Sequence, residues 1–316
     1  MARPPIEVIV LGTSSAAPTV RRGLSATTLI REGETILFDC GEGTQFRMLE
    51  AEIPRRKFHH IFISHLHGDH VFGLPGLISS LNLGQREYPL HLWGPRPLKK
   101  YIDFVTNWPR PTRIGFDIEV HEFAPGHEGL ICEAPEWTVT SLPLDHTIPA
   151  MGYRFEEKEL PGVFDGAKAD ALGVPFGPER KRLLRGESIT LDDGAVIDPE
   201  ALVGATRQGR AIAYCTDTAF CENAIRLTRD ADLLLHESTY GDEFEEMAKD
   251  RKHSTIRQAA TVAKEAGARH FVATHFSTRY EFPKLFRAME KEGREVFPDL
   301  QMAHDLMRIE VYDREE

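Results

Sequence analysis

Cysteine is scarce: four in 316 residues (Cys40, Cys132, Cys215, Cys221), none in a CxxC pair, which excludes a disulfide framework and fits reduced thiols in the cytoplasm. Long apolar runs are missing too. No stretch approaches the roughly 20 uninterrupted apolar residues of a membrane helix. The run over residues 8–18 is studded with polar groups and follows Glu7 rather than basic residues, so no targeting segment is expected. Positive charge is in deficit. Lys and Arg number 38 against 49 Asp and Glu, a net −11, which excludes a globally cationic nucleic-acid binder and confines any such contact to a local patch. Internal repeats and low-complexity segments are also lacking. What remains is globular: 41% hydrophobic, enough to bury a sizeable core, in a length that one large α/β domain can reach.

Strand-like and helix-like segments alternate. Residues 6–11 read as a strand emptying into the small-residue loop 12–18. Residues 27–30 and 35–38 form a β pair around the turn 31–34, and 44–51 a helix. A strand at 60–64 leads through the loop 65–70 into a helical pattern over 71–83. Strands are expected at 90–93, 116–120 and 137–142. The last third alternates strand 211–215, helix 219–227, strand 232–235, helix 255–266, strand 270–273, helix 282–291 and strand 307–311. Such alternation indicates the α/β class. Residues 157–208 differ: Gly and Pro recur and apolar periodicity is lost, so they read as an insertion, one projecting arm on a single domain 1–316.

The strongest chemical signal is His65-Leu66-His67-Gly68-Asp69-His70 at the mouth of a strand. His65 and His67 are two apart in extended chain, so their imidazoles project to one side. Gly68 lets the backbone turn, and Asp69 and His70 open the next helix facing back, giving two adjacent donor sets suited to borderline-soft metals such as Zn²⁺. One loop cannot close two coordination shells. His146, Asp217 and His275 each stand just past a strand; singly each could be a loop histidine or a cap aspartate, but three donors at equivalent strand exits favour convergence. His59, His60, His91, His121, His127, His236, His270 and His304 have no donor cluster by sequence and are read as structural.

With these residues assembled, the chain resembles the metallo-β-lactamase superfamily, which the HxHxDH loop alone implies, and within it the ribonuclease Z family of tRNA 3′-processing endoribonucleases. Further matches are Phe38-Asp39-Cys40-Gly41-Glu42-Gly43-Thr44-Gln45, Phe72-Gly73-Leu74-Pro75-Gly76-Leu77, His236-Glu237-Ser238-Thr239, His253-Ser254-Thr255, and His275-Phe276-Ser277-Thr278-Arg279-Tyr280; Pro161-Gly162 and Phe176-Gly177-Pro178 extend the likeness into the arm. Ser238 stands where alanine is usual and Thr216 where glycine is frequent. The resemblance implies an αββα sandwich of two pseudo-equivalent halves with the metals at one edge. It assigns His65, His67 and His146 to one zinc and Asp69, His70 and His275 to the other, with Asp217 bridging; Mn²⁺ is a possible substitute. It makes His253 the general acid that protonates the leaving 3′-oxygen, held by Glu237, and counts Asp69 as catalytic as well as a ligand. Read without the resemblance, His253 is a histidine at a helix N-terminus ahead of the cap candidates Ser254 and Thr255.

Weaker signals complete the list. Asp39 reads either as a turn residue or as an orienter of a ligand histidine. Arg279 reads either as an isolated cation or as a phosphate contact. Arg180, Lys181, Arg182 and Arg185 read as a solvated face on their own; with the resemblance they become tip cations that clamp tRNA phosphates. The resemblance implies precursor tRNA as the partner and a homodimer spanned by the arm, with neither membrane nor DNA. The closest rival is another hydrolase on the same scaffold, acting on a thioester, lactone, sulfate ester or small phosphodiester.

Overall fold

The computed structural model describes residues 3–54, 57–107 and 113–314. The first sheet holds β1 (Ile6–Gly12), β2 (Ala26–Arg31), β3 (Glu34–Phe38), β4 (Lys57–Phe62), β5 (Leu90–Pro95) and β6 (Ile118–Phe123). The second begins with β7 (Gly129–Glu133), β8 (Trp137–Leu144) and β9 (Ala150–Glu157). A small hairpin, β10 (Ile189–Thr190) and β11 (Val196–Ile197), stands apart. The second sheet resumes with β12 (Ala211–Cys215), β13 (Leu233–Glu237), β14 (His270–Thr274) and β15 (Gln301–Met302), and β16 (Met307–Val311) crosses back to the first. Strand orders are β16-β1-β2-β3-β4-β5-β6 and β15-β14-β13-β12-β9-β8-β7. Within each sheet three successive pairs are parallel (β3 to β6, β12 to β15) and the others antiparallel. The two halves are therefore pseudo-equivalent, as the resemblance implies.

Strands buried on both faces explain the near-continuous apolar runs. In β1, Val8 and Val10 point between the sheets while Ile9 and Leu11 point outward; Phe38 and Phe62 point in, Leu37 and Ile61 out. The inward rings meet those of the second sheet, with Phe38 5.3 Å from Tyr214 and Phe62 5.5 Å from Tyr153. Against the outer face of the first sheet pack α1 (Thr44–Glu50), α3 (Leu74–Leu83) and α4 (Leu98–Asn107), α2 being the single turn Gly68–Val71. The helical pattern expected over 71–83 is thus two helices. Pro75 starts the second, and Gly73 fixes the break, because a Cβ there would lie 2.1 Å from the Gly41 carbonyl oxygen.

The arm leaves the sheet after β9 and returns at β12. It carries α5 (Gly166–Ala171), α6 (Pro178–Leu184) and the β10–β11 hairpin, around a core of its own built from Ala169, Val174, Leu183, Ile189, Ile197 and Leu202. Elements of two to seven residues are too short to print a periodicity, which is why none is legible there. At its root the buried Glu157 accepts from Arg31 at 2.6 Å and from Arg210 at 2.8 Å. The remaining helices, α7 (Glu222–Thr228), α8 (Glu245–Arg251), α9 (Ile256–Glu265) and α10 (Pro283–Arg294), follow the second half's strands. Among the described residues no helix is long and apolar enough to cross a membrane.

Candidate metal centre

Open α/β sheets present their ligand sites beyond the carboxyl ends of parallel strands, and both halves do so here at one edge. His65 to His70 follow β4, Asp39 follows β3, His146 follows β8, Asp217 follows β12, Glu237 ends β13 and His275 follows β14. Their side chains converge as two donor groups. In one, His65 Nε2 lies 3.0 Å from His67 Nδ1, which lies 3.3 Å from His146 Nε2. Asp217 Oδ2 completes it at 3.6 Å from His65 and 3.8 Å from His146. In the other, Asp69 Oδ2 is 3.5 Å from both His70 Nε2 and His275 Nε2, which are 3.4 Å apart. Asp217 Oδ1 faces this group, 3.5 Å from His70 and 3.1 Å from His275.

These separations test whether an ion fits. Ligands about 2.0–2.1 Å from a tetrahedral zinc stand about 3.3–3.4 Å from one another, and both groups are close to that edge length. The two oxygens of one buried carboxylate face the two groups separately. Imidazole and carboxylate donors suit zinc-like ions, so the residues fit a pair of them. Burial, followed by the neighbouring His70, holds the His65 pKa well below its ordinary value, which keeps a lone pair free; Asp217 stays ionised against burial because His275, His70 and His65 surround it.

Each buried imidazole is aimed by a hydrogen bond on its far nitrogen. Asp39, left-handed at φ 57° and fully buried, accepts from His70 Nδ1 at 2.8 Å, Ser64 N at 2.7 Å, Ser64 Oγ at 2.8 Å and the Tyr214 hydroxyl at 2.9 Å. Ser64 Oγ accepts in turn from His65 Nδ1 at 3.0 Å. The His146 Nδ1 donates to the Lys252 carbonyl at 2.9 Å, and His275 Nδ1 to Thr239 Oγ1 at 3.0 Å. Asp39→Ala should therefore weaken metal binding or activity about 10–100-fold, with destabilisation from the buried donors left unpaired. Metal titration with a parallel melting curve measures both; wild-type affinity would remove Asp39 from this role.

His253 stands outside both groups. Although Asp217 Oδ2 is 4.0 Å away, the ring's Nδ1 is committed to Glu237 Oε1 at 2.7 Å. The Glu237 carboxylate is itself pinned by the backbone N–H groups of Thr218 and Thr239, each at 3.0 Å, and by Thr239 Oγ1 at 2.6 Å. Burial works against the imidazolium, but Glu237 outweighs it and lifts the His253 pKa to about 9. Helix α9 is capped by Thr255 in a capping box with Gln258, leaving His253 free of any capping duty. Its ring lines a cleft of about 700 Å³ together with His67, Asp69, Phe72, His146 and Asp217.

The chain matches the family described as "Beta-lactamase superfamily domain" over residues 199–276 and that described as "Anti-Pycsar protein Apyc1" over residues 6–103. It is 44% identical to the ribonuclease Z of Gloeothece citriformis (strain PCC 7424), covering 97% of this chain and 96% of that protein. It is also 44% identical to the ribonuclease Z of Synechococcus sp. (strain CC9605), over 98% and 99%. This chain belongs to the ribonuclease Z family. The solved structure of human tRNase Z, short form, superposes with a TM-score of 0.69 at 28% identity, covering 96% of this chain and 99% of that one. The fold is thus that of the metallo-β-lactamase superfamily, and the chain is an endoribonuclease by family.

The outlying family positions behave less uniformly. Arg279 is half-buried, its guanidinium 5.0 Å from the Phe244 ring and 5.9 Å from that of Tyr240, whose ring is 6.0 Å from that of His253. It is not among the residues lining the cleft. Arg180 departs from the expected free tip cation. It pairs with Asp170, donates to the Val174 carbonyl at 2.8 Å and lies 5.8 Å from the Phe164 ring, so it holds the arm together. Lys181, Arg182 and Arg185 are exposed, the two arginines sharing Glu187 at 3.1 and 3.3 Å. Ser64, Tyr214, Thr239 and the Lys252 carbonyl were not foreseen as part of the centre. A hydroxyl two residues past Glu237 was a readable hint for Thr239; a backbone carbonyl leaves no trace in sequence.

Proposed function

We propose that this chain cleaves the 3′ trailer from precursor tRNA, leaving a 3′-hydroxyl on the tRNA and a 5′-phosphate on the trailer. The observation that carries the reading is the His253–Glu237 pair beside two donor groups that share Asp217. His65, His67 and His146 would hold one Zn²⁺ and Asp69, His70 and His275 a second, with Asp217 between them and Mn²⁺ an alternative. Such ions supply Lewis-acid activation of water and neutralise charge on the phosphodiester. The chain supplies the rest. An alkoxide is a poor leaving group, so the departing 3′-oxygen needs a proton, and His253, which lines the cleft and holds Nδ1 on Glu237, has Nε2 left to donate it. Glu237 keeps Nδ1 protonated and stabilises the cationic ring, so the donor is charged at neutral pH. Asp69 also accepts from the Ala16 N–H at 2.8 Å, which ties the loop after β1 to the floor of the cleft.

Substrate choice falls to the arm. In this reading residues at about 157–208 project from a single domain 1–316 and grip the body of the tRNA. Arg279, steered by Phe244 and Tyr240, contacts a phosphate near the scissile bond. Exposed Phe46, Leu49, Phe72 and Leu83 on the α1–α3 layer support a homodimer, since such apolar groups mark association surfaces. The four unpaired cysteines suit the reducing cytoplasm.

A 3′-extended precursor tRNA and bis-p-nitrophenyl phosphate test this together. Neutralising Lys181, Arg182 and Arg185 should weaken tRNA binding and remove about 0.9 from the log–log salt slope for each lost duplex contact. Hydrolysis of the small diester should be unchanged. Arg180→Ala should instead lower the arm's stability. Wild-type tRNA binding and salt dependence in the triple variant would reduce those cations to a solvated face.

A further inference from the structure

We propose that His91, Glu119 and His121 form a separate binding site for one zinc-class divalent ion at the open edge of the first sheet. It shares no residue with the centre beyond the strand ends. Register brings the three together: His91 pairs with Glu119 across β5 and β6, and His121 lies two residues on, on the same face, opposite Trp93. His91 Nδ1 stands 3.3 Å from His121 Nε2 and 3.3 Å from Glu119 Oε2, which is 3.9 Å from His121 Nε2. Two of these three separations equal the edge of a zinc tetrahedron, about 3.3 Å for ligands about 2.0–2.1 Å from the ion. The third closes with a small swing of an exposed carboxylate.

The rings are already fixed. Trp93 stacks on His121 with centroids 3.8 Å apart and 12° between planes, and His60 stacks on His91 at 5.1 Å and 18°. The Trp93 indole N–H donates to His60 Nδ1 at 3.2 Å, which locks the ladder from behind. Side-chain exposures of 26%, 34% and 50% for His91, His121 and Glu119 leave a path for the ion. An ion there would clasp β6, the sheet's edge strand, to β5 and keep a fourth position open to water or an outside ligand. Sequence order hides the site because His91 lies on another strand, although Glu119-Val120-His121 is a same-face pair.

Holoenzyme freed of excess metal by gel filtration is dialysed against Zn²⁺ and its metal content measured. Wild type should take up one more Zn²⁺ per chain than the His91→Ala/His121→Ala variant, and the two should hydrolyse bis-p-nitrophenyl phosphate equally. Should the double variant not fold, Glu119→Gln, at an exposed position, should weaken uptake of that ion about tenfold or more. Equal stoichiometry in wild type and double variant, or unaltered uptake in Glu119→Gln, would overturn the site and leave a hydrogen bond between two histidines.

Discussion

His253→Ala should slow precursor tRNA cleavage about 10²–10⁴-fold, the range of general acid–base catalysis, with metal content unchanged from wild type. The expectation follows from hydrogen-bond geometry. His253 spends Nδ1 on Glu237 at 2.7 Å, which withholds that nitrogen from an ion even though it also lies near Asp217 and His275. The fold should survive, since Glu237 keeps two backbone N–H donors and the Thr239 hydroxyl after the ring is gone. A diester with a nitrophenolate leaving group needs no proton, so its hydrolysis should fall far less. Equal losses on both substrates would make His253 a positioning residue instead.

Asp217→Ala should cost more. Its carboxylate is the only group whose oxygens face both donor sets among the described residues, and it balances His65, His70, His146 and His275. Removing it leaves a buried cluster of imidazoles with no shared counter-charge, so metal content should fall and activity should drop to that of chelator-stripped enzyme. The loss should exceed the 10–100-fold typical of an outer-shell change. Elemental analysis beside the tRNA assay reads both effects. Two metals per chain in an inactive variant would contradict a bridging role.

Much of this centre was legible because its signals are local. A period of two aims His65 and His67 together, Gly68 permits the turn, and a strand pattern ending just before His146, Asp217 or His275 puts each at the same edge of its sheet. Asp39 was ambiguous, because its role is set by Ser64, Tyr214 and His70 arriving from three other segments. Helix α8 went unread since Glu245–Arg251 buries only Ala248, whereas α4 carries a readable apolar stripe at the i, i+3, i+4, i+7 spacing of Leu98, Tyr101, Ile102 and Val105. Arg180 looked like its neighbours in sequence. Only the packing of Phe164 and Asp170 around it separates a structural cation from Lys181, Arg182 and Arg185.

The most direct test is to determine both ends produced from one 3′-extended precursor tRNA by the metal-loaded enzyme. A single cut should yield a tRNA ending in a 3′-hydroxyl and an intact trailer beginning with a 5′-phosphate. Stepwise shortening from the 3′ end, a 2′,3′-cyclic phosphate on the tRNA, or an uncut precursor beside rapid hydrolysis of small diesters would contradict it.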